Sequence, residues 1–124
     1  MSWLFPDERD FGARLAQMRD MPGIAPAVLP FEMCNALQMA VRRGRLIIDD
    51  ALGAIDLFYE LGIEIEPPPG DAAAKRITAL CNAHEITAYD AAYVELAMRR
   101  GAPLATYDER MRAAAAKAGV TILK

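Results

Sequence analysis

Gly44, Gly62, Gly101 and Gly119 each close a helix-like segment. A left-handed residue is needed there to end the helix, and glycine takes that conformation at no steric cost. Three of them are followed at once by short β-prone runs: Ile63–Ile65, Leu104–Thr106 and Val120–Leu123. A fourth predicted strand, Ile24–Leu29, follows the Pro22–Gly23 turn. The pattern predicts helices over Asp7–Arg19, Phe31–Arg43, Asp49–Leu61, Ala72–Ala83, Thr87–Arg100 and Asp108–Ala118. Within Phe31–Arg43, the residues Met33, Ala36, Leu37, Ala40 and Val41 recur at the intervals an amphipathic helix requires. Strands alternating with helices predict an α/β layered sheet, mostly parallel. Pro67–Pro68–Pro69–Gly70 is a stiff connection rather than a domain boundary. The 124 residues therefore read as one domain, 1–124.

Composition narrows the chemistry. A net charge of −3 excludes a broad polyanion-binding surface, so nucleic acid would need a local basic patch or a bridging metal. The two cysteines, Cys34 and Cys81, lack metal-ligand spacing and read as free thiols of a reducing compartment. No apolar run approaches the ~20 residues of a membrane span. The opening residues MSWLFPDERD carry acids and a proline where a signal peptide would carry lysines and an apolar stretch. The expectation is a soluble cytoplasmic protein with no membrane partner. Ser2 is the only serine and no nucleophile has a histidine partner, which argues against covalent hydrolase chemistry. The single histidine, His84, reads as a loop or core residue.

The segment TAYDAAYVELAMRRGAPLATYDERM places Asp90 and Asp108 at the starts of two successive helices separated by one strand. Glu32 begins another predicted helix. In a parallel sheet, helix starts that follow strands gather along the carboxyl edge, where ligands bind. Each acid also has a plain structural reading. Thr87 and Asp90 form a variant capping box, Asp108 is a plausible N-cap, and Glu32 suits the first turn after Pro30. Asn35, one turn from Glu32, either holds that carboxylate or faces solvent. Taken together the acids say more than they do singly. Carboxylates ~5 Å apart repel by about 3 kcal/mol at an effective dielectric of 20. A divalent cation removes that cost, and oxygen donors select Mg²⁺ or Mn²⁺ over Zn²⁺.

These residues resemble the PIN-domain ribonucleases, in particular the VapC-type toxins of bacterial toxin–antitoxin pairs. Four blocks carry the likeness: SWLFPDE, PFEMCNALQMAVRRGRL, HEITAYDAAYVELAMRRGAPLATYDERM, and the alanine-rich helix ending in GVTIL. The resemblance implies a three-layer α/β/α sandwich and an acidic cluster holding Mg²⁺ or Mn²⁺. It implies RNA cleavage by metal-activated water, a cognate antitoxin and a homodimer. The glutamate of the E-x-x-N-x-L helix falls on Glu32 with Asn35 beside it, the acid of the AYDA motif on Asp90, and that of T-x-D on Asp108. Thr106 would support the last carboxylate. RNA would also meet cations, for which Arg42, Arg43 and Arg45 after one helix, and Arg110 and Arg112 on the last, are candidates.

The family's chains open with a central strand ending in an aspartate ligand. Here Met1 leads directly into Ser2–Trp3–Leu4–Phe5, which corresponds to the turn and helix after that strand. Asp7 and Asp10 come too late to replace the aspartate. The expected fold is therefore PIN-like without its first strand, which would leave two neighbouring strands unpartnered. Either Met1 is an internal methionine of a longer protein, or the chain is a weakened or inactive relative. The rival reading is an interaction module that binds an antitoxin or itself and cuts nothing; a phosphoacceptor receiver lacks its acid pair and its lysine.

Overall fold

The computed structural model describes residues 23–105 and 109–123. In chain order these form β1 (Ile24–Ala25), α1 (Leu29–Arg42), α2 (Ile48–Glu60), β2 (Glu64–Ile65), α3 (Asp71–His84), α4 (Ala88–Arg100), β3 (Leu104–Ala105), α5 (Glu109–Lys117) and β4 (Ile122–Leu123). The predicted helix Asp7–Arg19 lies outside the described residues, as do Thr106 and Asp108. The fold is α/β with parallel pairing, as expected. β1 pairs with β2 through Ile24 to Glu64 and Ala25 to Ile65. β3 pairs with β4 through Leu104 to Ile122 and Ala105 to Leu123. Among the described residues these are two separate two-stranded sheets.

Several boundaries differ from the sequence reading by a residue or more, and two of them are informative. The strand expected over Ile24–Leu29 ends at Ala25, and α1 has already begun at Leu29. Pro30 explains the early start, because its fixed φ and missing N–H are tolerated in a first helical turn. The Leu29 N–H donates to the Pro26 carbonyl at 3.1 Å, closing the turn that separates strand from helix. His84, expected in a loop, is instead the last residue of α3, and Glu85 takes the left-handed cap at φ 54°. The four punctuating glycines all carry positive φ, from 61° at Gly101 to 83° at Gly119.

Among the described residues the buried apolar side chains gather into two clusters. One joins β1, α1 and α2 through Ala25, Leu29, Met33, Leu37, Ala51 and Phe58. The other joins α3, α4, β3 and α5 through Ile77, Tyr93, Val94, Leu104, Met111 and Ala115. Leu29, Val94 and Met111 are fully enclosed. α2 carries the most exposed apolar side chains: Ile48, Leu52, Leu57 and Tyr59 all stay more than half exposed, as do Phe31 on α1 and Tyr89 on α4.

Two glycines test the helix geometry in opposite directions. Gly101 caps α4 at φ 61°, a conformation that costs an L-residue roughly 1–2 kcal/mol. Gly53 lies inside α2 with open space where a Cβ would stand. Urea denaturation should show Gly101→Ala destabilised by about 1–2 kcal/mol. Gly53→Ala should instead be stabilised by about 0.5–1 kcal/mol.

Candidate active site

Asp90 occupies the first turn of α4, which opens with a cap that the sequence announces. The Asp90 N–H donates to Thr87 Oγ1 at 3.2 Å, so Thr87 is the N-cap the capping-box pattern predicts. A carboxylate that served only the helix dipole would be expected to sit in water. Asp90 is 7% exposed, so the chain tolerates a buried acid at this point. Structural convenience alone does not account for it.

Glu32 stands in the first turn of α1, some sixty residues away along the chain. The Tyr93 hydroxyl bridges that gap by donating to Glu32 Oε1. Tyr93 lies one turn after Asp90 on α4, and its hydroxyl feels both carboxylates. Burial pushes the Tyr93 phenol far above its ordinary range. The Glu32 charge and hydrogen bond, and then the Asp90 charge, push it further. Tyr93 is thus held as a neutral donor between two acids. Sequence reasoning missed it, although Asp90-x-x-Tyr93 puts a hydroxyl one helical turn from the acid on an otherwise apolar stripe.

The remaining predicted residues are placed less closely. Asn35 is exposed, and its amide contacts Met39 Sδ at 3.8 Å instead of the Glu32 carboxylate. Arg42, Arg43 and Arg45 lie at the far end of α1, about 15 Å along the axis from Glu32 at 1.5 Å per residue. Arg112 pairs with Glu109 at 3.8 Å, while Arg110 faces a cleft beside His84. Asp108 and Thr106 fall outside the described residues. Among the described residues no group of three or more potential metal ligands assembles. What the structure does bring together is Glu32, Tyr93 and Asp90. The two carboxylates offer oxygen, which would suit a hard divalent cation better than zinc.

A second buried acid was also missed. Glu95 is 4% exposed and accepts from Arg76 Nε at 3.1 Å and from Arg99 Nε at 2.9 Å. Arg99 reaches on to Glu66 at 2.6 Å, and Arg100 pairs with Glu64 at 3.2 Å. This ladder fastens α4 to α3 and to β2. The Glu95–Arg99 spacing of four residues was a legible signal of an ion pair, but not of its burial.

Comparison with known proteins follows the same lines. A family profile described as PIN domain matches residues 1–117. The chain is 30% identical over 106 residues to Ribonuclease VapC3 of Pyrobaculum aerophilum, an alignment covering 86% of this chain and 81% of the relative.

The tyrosine bridge carries its own test. A raised phenol pKa means that the folded state keeps a proton which the unfolded chain releases above pH ~10. The stabilisation is therefore complete below that pH and is lost as pH rises beyond it. Urea titrations at stepped pH should show wild type losing stability more steeply than Tyr93→Phe above pH ~10, by up to about 1.4 kcal/mol per pH unit. At neutral pH, Tyr93→Phe should cost about 1.5–3 kcal/mol for the lost bond to a charged acceptor.

Proposed function

The chain belongs to the PIN-domain family, and from that premise we propose that it is a Mg²⁺- or Mn²⁺-dependent endoribonuclease, the toxin of a toxin–antitoxin pair acting in the cytoplasm. The observation that carries this reading is the meeting of Glu32 with the Asp90 turn through Tyr93, since two carboxylates from distant helices are drawn to one place. Asp108, supported by Thr106, would complete the acidic set. When bound, the cation would supply Lewis acidity at the scissile phosphate and lower the pKa of an attacking water.

The chain's own residues have definable parts in that arrangement. Glu32 and Asp90 would hold the cation, directly or through water. The Tyr93 hydroxyl engages Oε1 of Glu32 and so helps to orient that carboxylate. Thr87 fixes the backbone under Asp90. Asn35, in only a weak contact to sulfur, remains within a turn of Glu32 as a supporting amide. RNA would approach an acidic patch, so cations must guide it. Arg110 and Arg112 on α5, and Arg42, Arg43 and Arg45 after α1, are the candidates. Hydrolysis of this type leaves a 5′-phosphate and a 3′-hydroxyl.

A second reading has one specific observation in its favour. The exposed apolar stripe of α2 made by Ile48, Leu52 and Tyr59 suits a protein partner, either an antitoxin or a second copy in a homodimer. Such an interaction module could exist without catalysis.

Incubation of single-stranded RNA with the protein in Mg²⁺ or Mn²⁺, against EDTA, separates the two readings. The nuclease reading expects metal-dependent cleavage and a loss of at least about 100-fold in Asp90→Asn, on the scale of removing a charge-stabilising group. Equal cleavage by Asp90→Asn would reject the site.

A further inference from the structure

The described cations of this chain are mostly neutralised. Lys75 pairs with Asp71, Arg76 and Arg99 with Glu95, Arg100 with Glu64, and Arg112 with Glu109. Besides Arg42 at the end of α1, three basic side chains depart from that pattern, and these three line one cleft. His84 at the end of α3 and Arg110 and Lys117 on α5 border a space of about 300 Å³, together with Asn82 and Glu85. No side-chain hydrogen bond or ion pair engages His84, Arg110 or Lys117 among the described residues. In a chain of net charge −3, unneutralised cations converging on a concave surface require a reason. Glu85 contributes a carboxylate, yet the cleft keeps an excess of positive charge even with His84 neutral. The backbone on its rim is also unusual, since Glu85 holds φ 54° where glycine or asparagine would be at ease.

We propose that this cleft is a seat for a backbone phosphate of single-stranded RNA, held by Arg110, Lys117, His84 and the Asn82 amide. The proposal rests on the nuclease reading for the identity of the polymer. Its placement follows from chain connectivity. Glu85 and Asp90 are five residues apart, so they are separated by at most about 18 Å of extended chain. A strand whose scissile phosphate lies at Asp90 therefore reaches the cleft within a few nucleotides. The arrangement also resolves an electrostatic difficulty. Acids that hold a cation repel the rest of a polyanion, and a separate basic seat offsets that repulsion without neutralising the acids. Arg110 offers a planar fork to the phosphate oxygens, and Lys117 a point charge.

The test measures binding of a labelled single-stranded RNA in EDTA, over a range of salt, so that cleavage does not intervene. Arg110→Gln and Lys117→Gln should each weaken binding by about 5–10-fold and lower the slope of log K against log salt by ~0.7, the value for one lost phosphate contact on a single strand. Lys75→Gln, at the other end of α3, should leave both quantities unchanged. Glu85→Gln should tighten binding two- to five-fold, on the order expected for removing one nearby like charge near the surface, a gain that damage to the fold does not produce. Unchanged slopes in Arg110→Gln and Lys117→Gln would overturn the seat, even where wild type cuts RNA in Mg²⁺. Changed slopes in a protein that cuts nothing would keep the seat and remove the nuclease reading. Competition by millimolar inorganic phosphate or a mononucleotide, as effective as RNA itself, would assign the cleft to a free anion and reject the polymer.

Discussion

The hydrogen bond from Tyr93 to Glu32 is the contact on which the site depends, because it joins, at the acids, helices that belong to different apolar clusters. Glu32 belongs to the helix that buries Leu29 and Met33 against Phe58. Tyr93 belongs to the cluster built around Val94 and Met111. Each half satisfies its own apolar demands, and apolar packing is not directional. A charged acceptor and a buried hydroxyl supply the direction that packing lacks. With the phenol held neutral, the bond has one polarity and one geometry.

The ionic ladder on the other side of α4 complements that bond. Glu95 and Arg99 tie the helix to Arg76 of α3 and to Glu66 after β2. β2 is hydrogen-bonded to β1, and β1 leads by a short turn into the helix that bears Glu32. α4 is thus fixed to the first half from two directions, once at the acids and once beyond the strand. Ion pairs with half-exposed arginines add little to global stability. Their value here is orientation, since they restrict how α4 can rotate over β2 while Asp90 remains near Glu32.

Much of this was legible in the residues, for physical reasons that differ from feature to feature. Gly44, Gly62, Gly101 and Gly119 marked helix ends because positive φ is a backbone requirement that a single residue type meets cheaply. Thr87 was readable as a cap because capping is a local affair across three residues. The family resemblance pointed to Glu32 and Asp90. Tyr93 and Glu95 were not legible as polar partners, because their partners lie on other elements and no local spacing announces a bond between helices. The strand at Ile24 was overextended because Val28 and Leu29 are as suited to a strand as to a helix, and Pro30 decided between them. His84 was put in a loop for want of a glycine, and Glu85 took the left-handed position instead.

That the described apolar residues fall into two clusters bears on how the protein tolerates change. A substitution that loosens Phe58 or Met111 acts first on the cluster that holds it. Circular dichroism would register little, since the helices persist on both sides. The alignment of Glu32 with the Asp90 turn is far more demanding, as it requires both halves to hold their poses at once. Drift in this lineage should therefore surface first as folded proteins with misaligned carboxylates, well before it surfaces as chains that no longer fold.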